Sequence, residues 1–126
     1  MSKELFKHIV DKYKPLGVIW GGEFLLPPQI MIEFIEDLSN AGVLIYGCDL
    51  WRYLDPNKDP NRVISLLGAG LDLTSDEFKK EEFSIERNAV LVKSFIENQL
   101  PDDAELVSLT TDIDEFINRM IGGRNI

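Results

Sequence analysis

The sequence has very few of the side chains that enzymes use for nucleophilic or metal chemistry. Its 126 residues contain one cysteine, Cys48, and one histidine, His8. A single cysteine excludes an internal disulfide, and one cysteine with one histidine is too few for a zinc site of the usual spacing. His8 lies on the polar side of a predicted helix with no nucleophile near it in sequence. We therefore assign no catalytic residue, no metal ligand and no cofactor, and predict that the protein is not an enzyme.

Basic residues and long apolar runs are also scarce. Thirteen Lys and Arg face 22 Asp and Glu, which gives a net charge of −9. That charge repels nucleic acid and anionic membranes and attracts a basic protein partner. No apolar run approaches the ~18 residues of a spanning helix, and residues 1–6 contain no apolar signal core. We expect a cytoplasmic protein that binds neither nucleic acid nor membrane.

What the sequence does contain is an ordinary globular composition. Hydrophobic residues make up 44% and charged residues 28%, which excludes wholesale disorder. A chain of this length is one domain, 1–126, with enough apolar surface for a single core.

Hydrophobic periodicity predicts an α+β fold. It has a central mixed β-sheet of about four short strands packed by about four helices. The predicted helices cover residues 2–13, capped by Ser2, 28–40, 84–98 and a last helix from 113 closed by Gly122-Gly123. The predicted strands cover 16–20, 43–53, 63–67 and 104–109, and residues 68–83 have no assigned element. If the first two strands are parallel, they form a right-handed βαβ unit with the helix between them.

The stretch Gly42–Tyr53 is the centre of this prediction. Val43–Tyr46 is apolar on both alternating faces, which is typical of a strand covered on both sides. Gly47 marks a bulge or a close backbone approach.

Asp49 is the one carboxylate within this apolar strand. Its charge must be paired, hydrogen-bonded or close to water. Arg52 or Arg62 are candidate ion-pair partners, and nearby backbone N–H groups are another. A carboxylate beside Trp51 and Tyr53 is also a candidate binding site, because aromatic residues anchor interfaces. Catalysis by clustered carboxylates is the third hypothesis for the role of Asp49.

The helix at 28–40 carries acids on the face opposite its apolar stripe. Among them, Glu36 and Asp37 lie in its last turns, where the helix dipole disfavours negative charge. No residue nearby in sequence offsets that cost. We therefore interpret Glu33, Glu36 and Asp37 as an acidic face that either meets a basic partner or is simply solvated.

Part of the chain resembles a known class of proteins. An acidic amphipathic helix runs into a strand ending Gly47-Cys-Asp49-Leu-Trp51, and a later helix begins Ser84-Ile-Glu86. These features, over residues 28–53 and 84–98, resemble small bacterial immunity proteins of polymorphic-toxin and contact-dependent inhibition systems. The resemblance implies a cytoplasmic, non-enzymatic protein that neutralises a cognate toxin, often a nuclease with a basic cleft.

The leading hypothesis is therefore an immunity protein that occludes a basic toxin domain. The predicted binding residues are Glu33, Glu36, Asp37, Asp49, Trp51 and Tyr53. One alternative is a small carboxylate-based hydrolase or metal-dependent enzyme centred on Asp49, which requires a cleft where carboxylates converge. Another is a structural or regulatory subunit, which requires a self-complementary apolar patch.

Overall fold

A computed structural model describes residues 3–120 of the chain. Within that range the α+β class is confirmed, with a four-stranded sheet, a two-stranded hairpin and four helices. The helices are α1 (Lys3–Tyr13), α2 (Pro28–Asn40), α3 (Ile85–Asn98) and α4 (Asp114–Met120). The strands are β1 (Val18–Trp20), β2 (Glu23–Leu25), β3 (Ile45–Tyr53), β4 (Val63–Ser65), β5 (Leu71–Asp72) and β6 (Leu106–Thr111).

Strand β3 is the centre of the main sheet. It pairs with β6 along one side, from Ile45 opposite Thr111 to Trp51 opposite Leu106. Strands β4 and β5 pair with its other side. Each of these pairings is antiparallel, so the sheet is not mixed as predicted. The predicted βαβ unit is also wrong, because β1 pairs antiparallel with β2 and not with β3. A tight turn after β1 lets it pair locally before the chain enters α2.

The β1–β2 hairpin is attached to the main sheet beyond β6. Gly21 and Gly22 form its two-residue turn with φ of 57° and 82°, the left-handed conformations that suit a hairpin turn and that glycine adopts without strain. After β2, Leu26 exchanges two backbone hydrogen bonds with Val107 at 2.9 and 2.8 Å. Those bonds hold the hairpin beside β6.

Gly47 has the role that its position in the strand predicted. The register of β3 against β6 shifts between Ile45 and Gly47, as at a β-bulge. A Cβ added to Gly47 would overlap the backbone carbonyl oxygen of Leu71. Only glycine therefore allows β5 to approach β3 this closely.

The main core lies between the helices and one face of the sheet. Side chains from all four helices pack there with Cys48, Leu50 and Val107 of the sheet. The buried amide of Asn88 in α3 donates to the carbonyl of Ile45 at 2.9 Å, which ties that helix to β3. A second, smaller cluster lies on the other face of the sheet.

The predicted boundaries are largely confirmed. Ser84 caps α3 by accepting a hydrogen bond from Arg87 N at 2.9 Å. Ser2 and Gly122-Gly123, predicted to cap the first helix and close the last, lie outside the described residues. The unassigned segment 68–83 contains β5 and ends in the short 3-10 helix Lys80–Glu82. None of the helices in residues 3–120 has the length and apolarity needed to cross a membrane.

Candidate functional site

The second face of the sheet is the candidate site, because the helices within residues 3–120 approach it only at one end, where α4 borders a cavity. Its apolar cluster contains no residue of a described helix. Beyond the bulge, alternate β3 side chains point to this face, so Asp49, Trp51 and Tyr53 share it. Trp20 and Glu23 reach the same face from the β1–β2 hairpin. We call these five residues the open face. The cluster beneath them consists of Leu25, Trp51, Val63 and Leu106, with Val18 and Tyr53 packed against it.

Two tryptophans form the aromatic part of the open face. Trp51 is 8% exposed, and its indole Nε1 donates to Ser108 Oγ at 3.0 Å. Trp20 packs edge-on against Trp51 with ring centroids 5.9 Å apart, and it remains 39% exposed. Trp51 was predicted to contact a partner, but in the structure it is buried and supports the ring of Trp20. The aromatic side chain available to a partner is Trp20, which the sequence analysis did not select.

Three carboxylates line a cavity at one end of the open face. Glu23, Asp49 and Asp114 border a space of about 120 Å³ together with apolar side chains of the core. Burial raises the pKa of Glu23, and the charges of Asp49 and Asp114 act in the same direction, against a hydrogen bond from Ser108. The convergence of carboxylates that the enzyme hypothesis requires is therefore present. Within residues 3–120, no group of three or more potential ligands has the arrangement needed to hold a metal ion.

A short hydrogen-bond chain links the aromatic and acidic parts of the open face. Ser108 is buried opposite Asp49 in the β3–β6 ladder. Its hydroxyl accepts from Trp51 Nε1, and its interaction with the Glu23 carboxylate lowers the pKa of that group. Ser108 therefore orients the indole and lies beside the carboxylate.

Asp49 is exposed and does not have the ion pair that the sequence suggested. Arg52 donates instead to the carbonyl of Tyr53 at 3.3 Å, and Arg62 lies 3.6 Å from Asp55. No cation among residues 3–120 contacts the Asp49 carboxylate. Pairing with either arginine is therefore wrong, because alternation along β3 places Arg52 on the opposite face from Asp49 and Arg62 pairs with Asp55 in the loop before β4.

The predicted acids of α2 lie on the other side of the sheet from the open face. Asp37 accepts from the hydroxyl of Tyr13 at 2.6 Å and from Lys12 Nζ at 3.1 Å. Glu36 lies 3.3 Å from Lys93 Nζ. The cost of two acids at the end of this helix is therefore offset by α1 and α3, neighbours that are distant in sequence. Of these three acids, only Glu33 has no ion pair in the described part of the chain, and its side chain is exposed.

Burial affects the ionisation of two further residues of β3, Tyr53 and Cys48. Tyr53 is half-buried, and burial, followed by the nearby charge of Glu105, raises its pKa. Its backbone N–H donates to Glu105 Oε1 at 3.1 Å. Burial raises the pKa of Cys48 to about 11, so its thiol is protonated and unreactive at neutral pH.

Trp20 and Glu23 were missed although the sequence carried a signal for them. Two adjacent glycines, Gly21 and Gly22, separate them in the sequence, and such a pair favours a turn. A two-residue hairpin turn places the flanking residues directly opposite each other, on the same face. That rule alone pairs Trp20 with Glu23, but their position over β3 depends on the contact between Leu26 and Val107.

No family model, curated protein or solved structure matches the chain.

Proposed function

We propose that the chain is a cytoplasmic binding protein that neutralises a basic protein partner, in the manner of an immunity protein. The observation that carries the proposal is the open face. It combines an exposed tryptophan, Trp20, with two carboxylates, Glu23 and Asp49, that have no cationic partner in residues 3–120. The net charge of −9 favours the same class of partner.

The proposed mechanism is occlusion. The acidic field increases the rate at which a basic domain encounters the chain. The open face then covers the partner's basic cleft, with Trp20 as the aromatic anchor and Glu23 and Asp49 paired to the partner's cations. Because Trp51 already holds the Trp20 ring in place, less side-chain entropy is lost at this residue on binding.

The test is co-expression of the chain with the product of the neighbouring gene. We expect a stable complex and protection of the host cell from that product. Asp49→Lys should weaken the complex by about tenfold or more, because it places a cation against the partner's cations.

Glu33→Lys is the matched control, since it makes the same charge change on the far side of the sheet. It should weaken binding only slightly, through the net charge. If the wild-type chain neither binds nor protects, the proposed function is wrong. If Glu33→Lys disrupts the complex and Asp49→Lys does not, the partner binds α2 and not the open face.

A second candidate function is supported by the cavity of Glu23, Asp49 and Asp114. A carboxyl group with a raised pKa beside other carboxylates is an arrangement found in general acid–base catalysis. A screen with glycoside, ester and phosphodiester substrates tests it. Turnover that falls about 100-fold in Glu23→Gln would support an enzyme. Turnover that stays at the uncatalysed background would reject it.

A further inference from the structure

The side chains of Trp20 and Glu23 form a preorganised pair on the open face. They are direct cross-strand neighbours in the β1–β2 hairpin. The ring of Trp51 packs beneath the Trp20 ring with centroids 5.9 Å apart, and Ser108 accepts from the Trp51 indole at 3.0 Å. The exposed Trp20 ring is therefore held beside Glu23 before any partner arrives.

Negative charge is uncompensated here, unlike at several other acids of the molecule. Elsewhere, Asp37, Glu36, Asp55, Glu82 and Glu105 each lie within 4 Å of a cationic nitrogen. On the open face, neither Glu23 nor Asp49 has such a neighbour in residues 3–120. This face is thus complementary to a positively charged group that the folded chain does not itself supply.

We propose that an arginine side chain of the partner fills this position, with its guanidinium plane against the Trp20 ring and its N–H groups donating to Glu23 and Asp49. This inference rests on the proposed function and names its central contact. Arginine fits better than lysine, since a planar guanidinium stacks on an aromatic ring while its fork of donors reaches carboxylates.

A second copy of the chain does not fit the same surface. A two-fold contact through the open face would place Glu23 and Asp49 of one copy against the same acids of the other. Each copy also carries a net charge of −9. Charge complementarity therefore selects a basic partner.

The test uses the full chain and synthetic peptides, so it does not require the natural partner. An acetylated tetra-arginine amide is titrated into the protein while NMR follows the indole N–H signals of Trp20 and Trp51. Tetra-lysine is the comparison cation, and tetra-citrulline is the neutral isostere of arginine. We expect saturable shifts centred on Trp20, tightest with arginine, several-fold weaker with lysine and absent with citrulline.

Three variants locate the contact. Trp20→Leu keeps an apolar side chain over Trp51 but removes the aromatic face, and it should weaken tetra-arginine binding about fivefold. Glu23→Gln keeps an acceptor for Ser108 but removes the charge, and it should also weaken binding about fivefold. Glu33→Gln makes the same charge change away from the open face and should have less than a twofold effect.

Two results would overturn the inference. One is equal weakening by Glu23→Gln and Glu33→Gln, which means that the peptide responds only to net charge. The other is equal affinity for tetra-lysine and tetra-arginine with no shift at Trp20. In either case the proposed function can still stand, because complex formation with the neighbouring gene's product is measured independently.

Discussion

Replacing Asp37 with alanine tests whether the acids of α2 are structural or belong to a binding surface. In the structure, Asp37 accepts a 2.6 Å hydrogen bond from the hydroxyl of Tyr13. Tyr13 is 2% exposed and packs against Phe34 with ring centroids 5.0 Å apart. Burial, followed by the hydrogen bond to Asp37, raises the pKa of Tyr13 to about 12. The substitution thus leaves a largely buried hydroxyl without its charged acceptor.

The expected change in stability for Asp37→Ala is the sum of one unfavourable and two favourable effects. Loss of a hydrogen bond to a charged group costs about 2 kcal/mol when the site is partly open to water, and the Asp37 side chain is 32% exposed. Removing a negative charge from the end of α2 stabilises the fold by about 0.3 kcal/mol. The better helix propensity of alanine stabilises it by about 0.5 kcal/mol. Asp37→Ala should therefore destabilise the fold by about 1 kcal/mol, or roughly 3–4 °C in melting temperature.

The assay is chemical denaturation with Glu33→Ala as the control on the same helix. Glu33 has no described ion pair, so its replacement should change the free energy of unfolding by less than about 0.5 kcal/mol. A double-mutant cycle with Tyr13→Phe isolates the contact. In that background Asp37→Ala should lose most of its cost, which gives a coupling energy of about 1 kcal/mol.

The pH dependence provides an independent check on Asp37. Burial raises the pKa of Asp37, but the hydrogen bonds from Tyr13 and Lys12 outweigh it and hold the pKa below its ordinary value of 3.8. A depressed pKa in the folded state means that the stabilisation is complete above pH 3.8 and is lost as the pH falls through the folded-state pKa. The difference between wild type and Asp37→Ala should shrink in that range.

Two outcomes would refute the structural role of Asp37. One is a cost for Asp37→Ala equal to that of Glu33→Ala, and the other is the same cost with and without the tyrosine hydroxyl. If Asp37→Ala instead weakened the complex with the partner at unchanged stability, the sequence-based assignment of Asp37 as a binding residue would be correct.

Three further predictions concern the sheet. Gly47→Ala should destabilise the fold by about 3 kcal/mol, measured by thermal denaturation, because its Cβ would overlap the Leu71 carbonyl. Ser108→Ala should cost about 1–3 kcal/mol in urea denaturation, since the buried indole N–H of Trp51 loses its acceptor; a neutral effect would contradict the hydrogen-bond chain. Glu23→Gln should raise the melting temperature at pH 7, because burial raises the pKa of Glu23 in the folded state and so disfavours its ionised form. That gain should disappear below pH 4.5, the ordinary pKa of this group, where wild-type Glu23 is already neutral in both states.

A stabilising Glu23→Gln that also weakens binding would separate function from folding at one position. An acid retained at a cost in stability, and needed for a contact, is the expected pattern for a binding site. If the substitution lowered both stability and affinity, Glu23 would be better explained as a structural hydrogen-bond acceptor for Ser108.

Local patterns were sufficient to predict most of the elements. The helix α2 follows from the spacing of Met31, Phe34, Ile35 and Leu38, all of which are buried. The cap at Ser84 and the bulge at Gly47 were also readable, because each depends on residues within a few positions of it in the chain. The same locality explains the failures. The strand–helix–strand order could not reveal that β1 pairs with β2, and a lone acid in a strand could not reveal its neighbours.

Only part of the candidate site could be predicted, because local patterns do not show contacts between residues that are distant in the chain. Alternation along β3 places the predicted binding residues Asp49 and Tyr53 together on the open face. Trp51 shares that face but is buried beneath Trp20. The acids of α2 were assigned to a binding surface because their partners, such as Lys12, lie on other helices.

The sequence by itself determined the class of fold, the unreactive cysteine and the net negative charge. These properties depend on composition and on periodicity along the chain, which need no knowledge of distant contacts. Only the tertiary structure decided which acids are compensated and which tryptophan is exposed. The reason is physical: the charge environment of Asp37, Glu23 or Asp49 depends on side chains brought close by packing. The open face exists because the helices pack on one side of an antiparallel sheet and leave the other to Trp20 and Glu23.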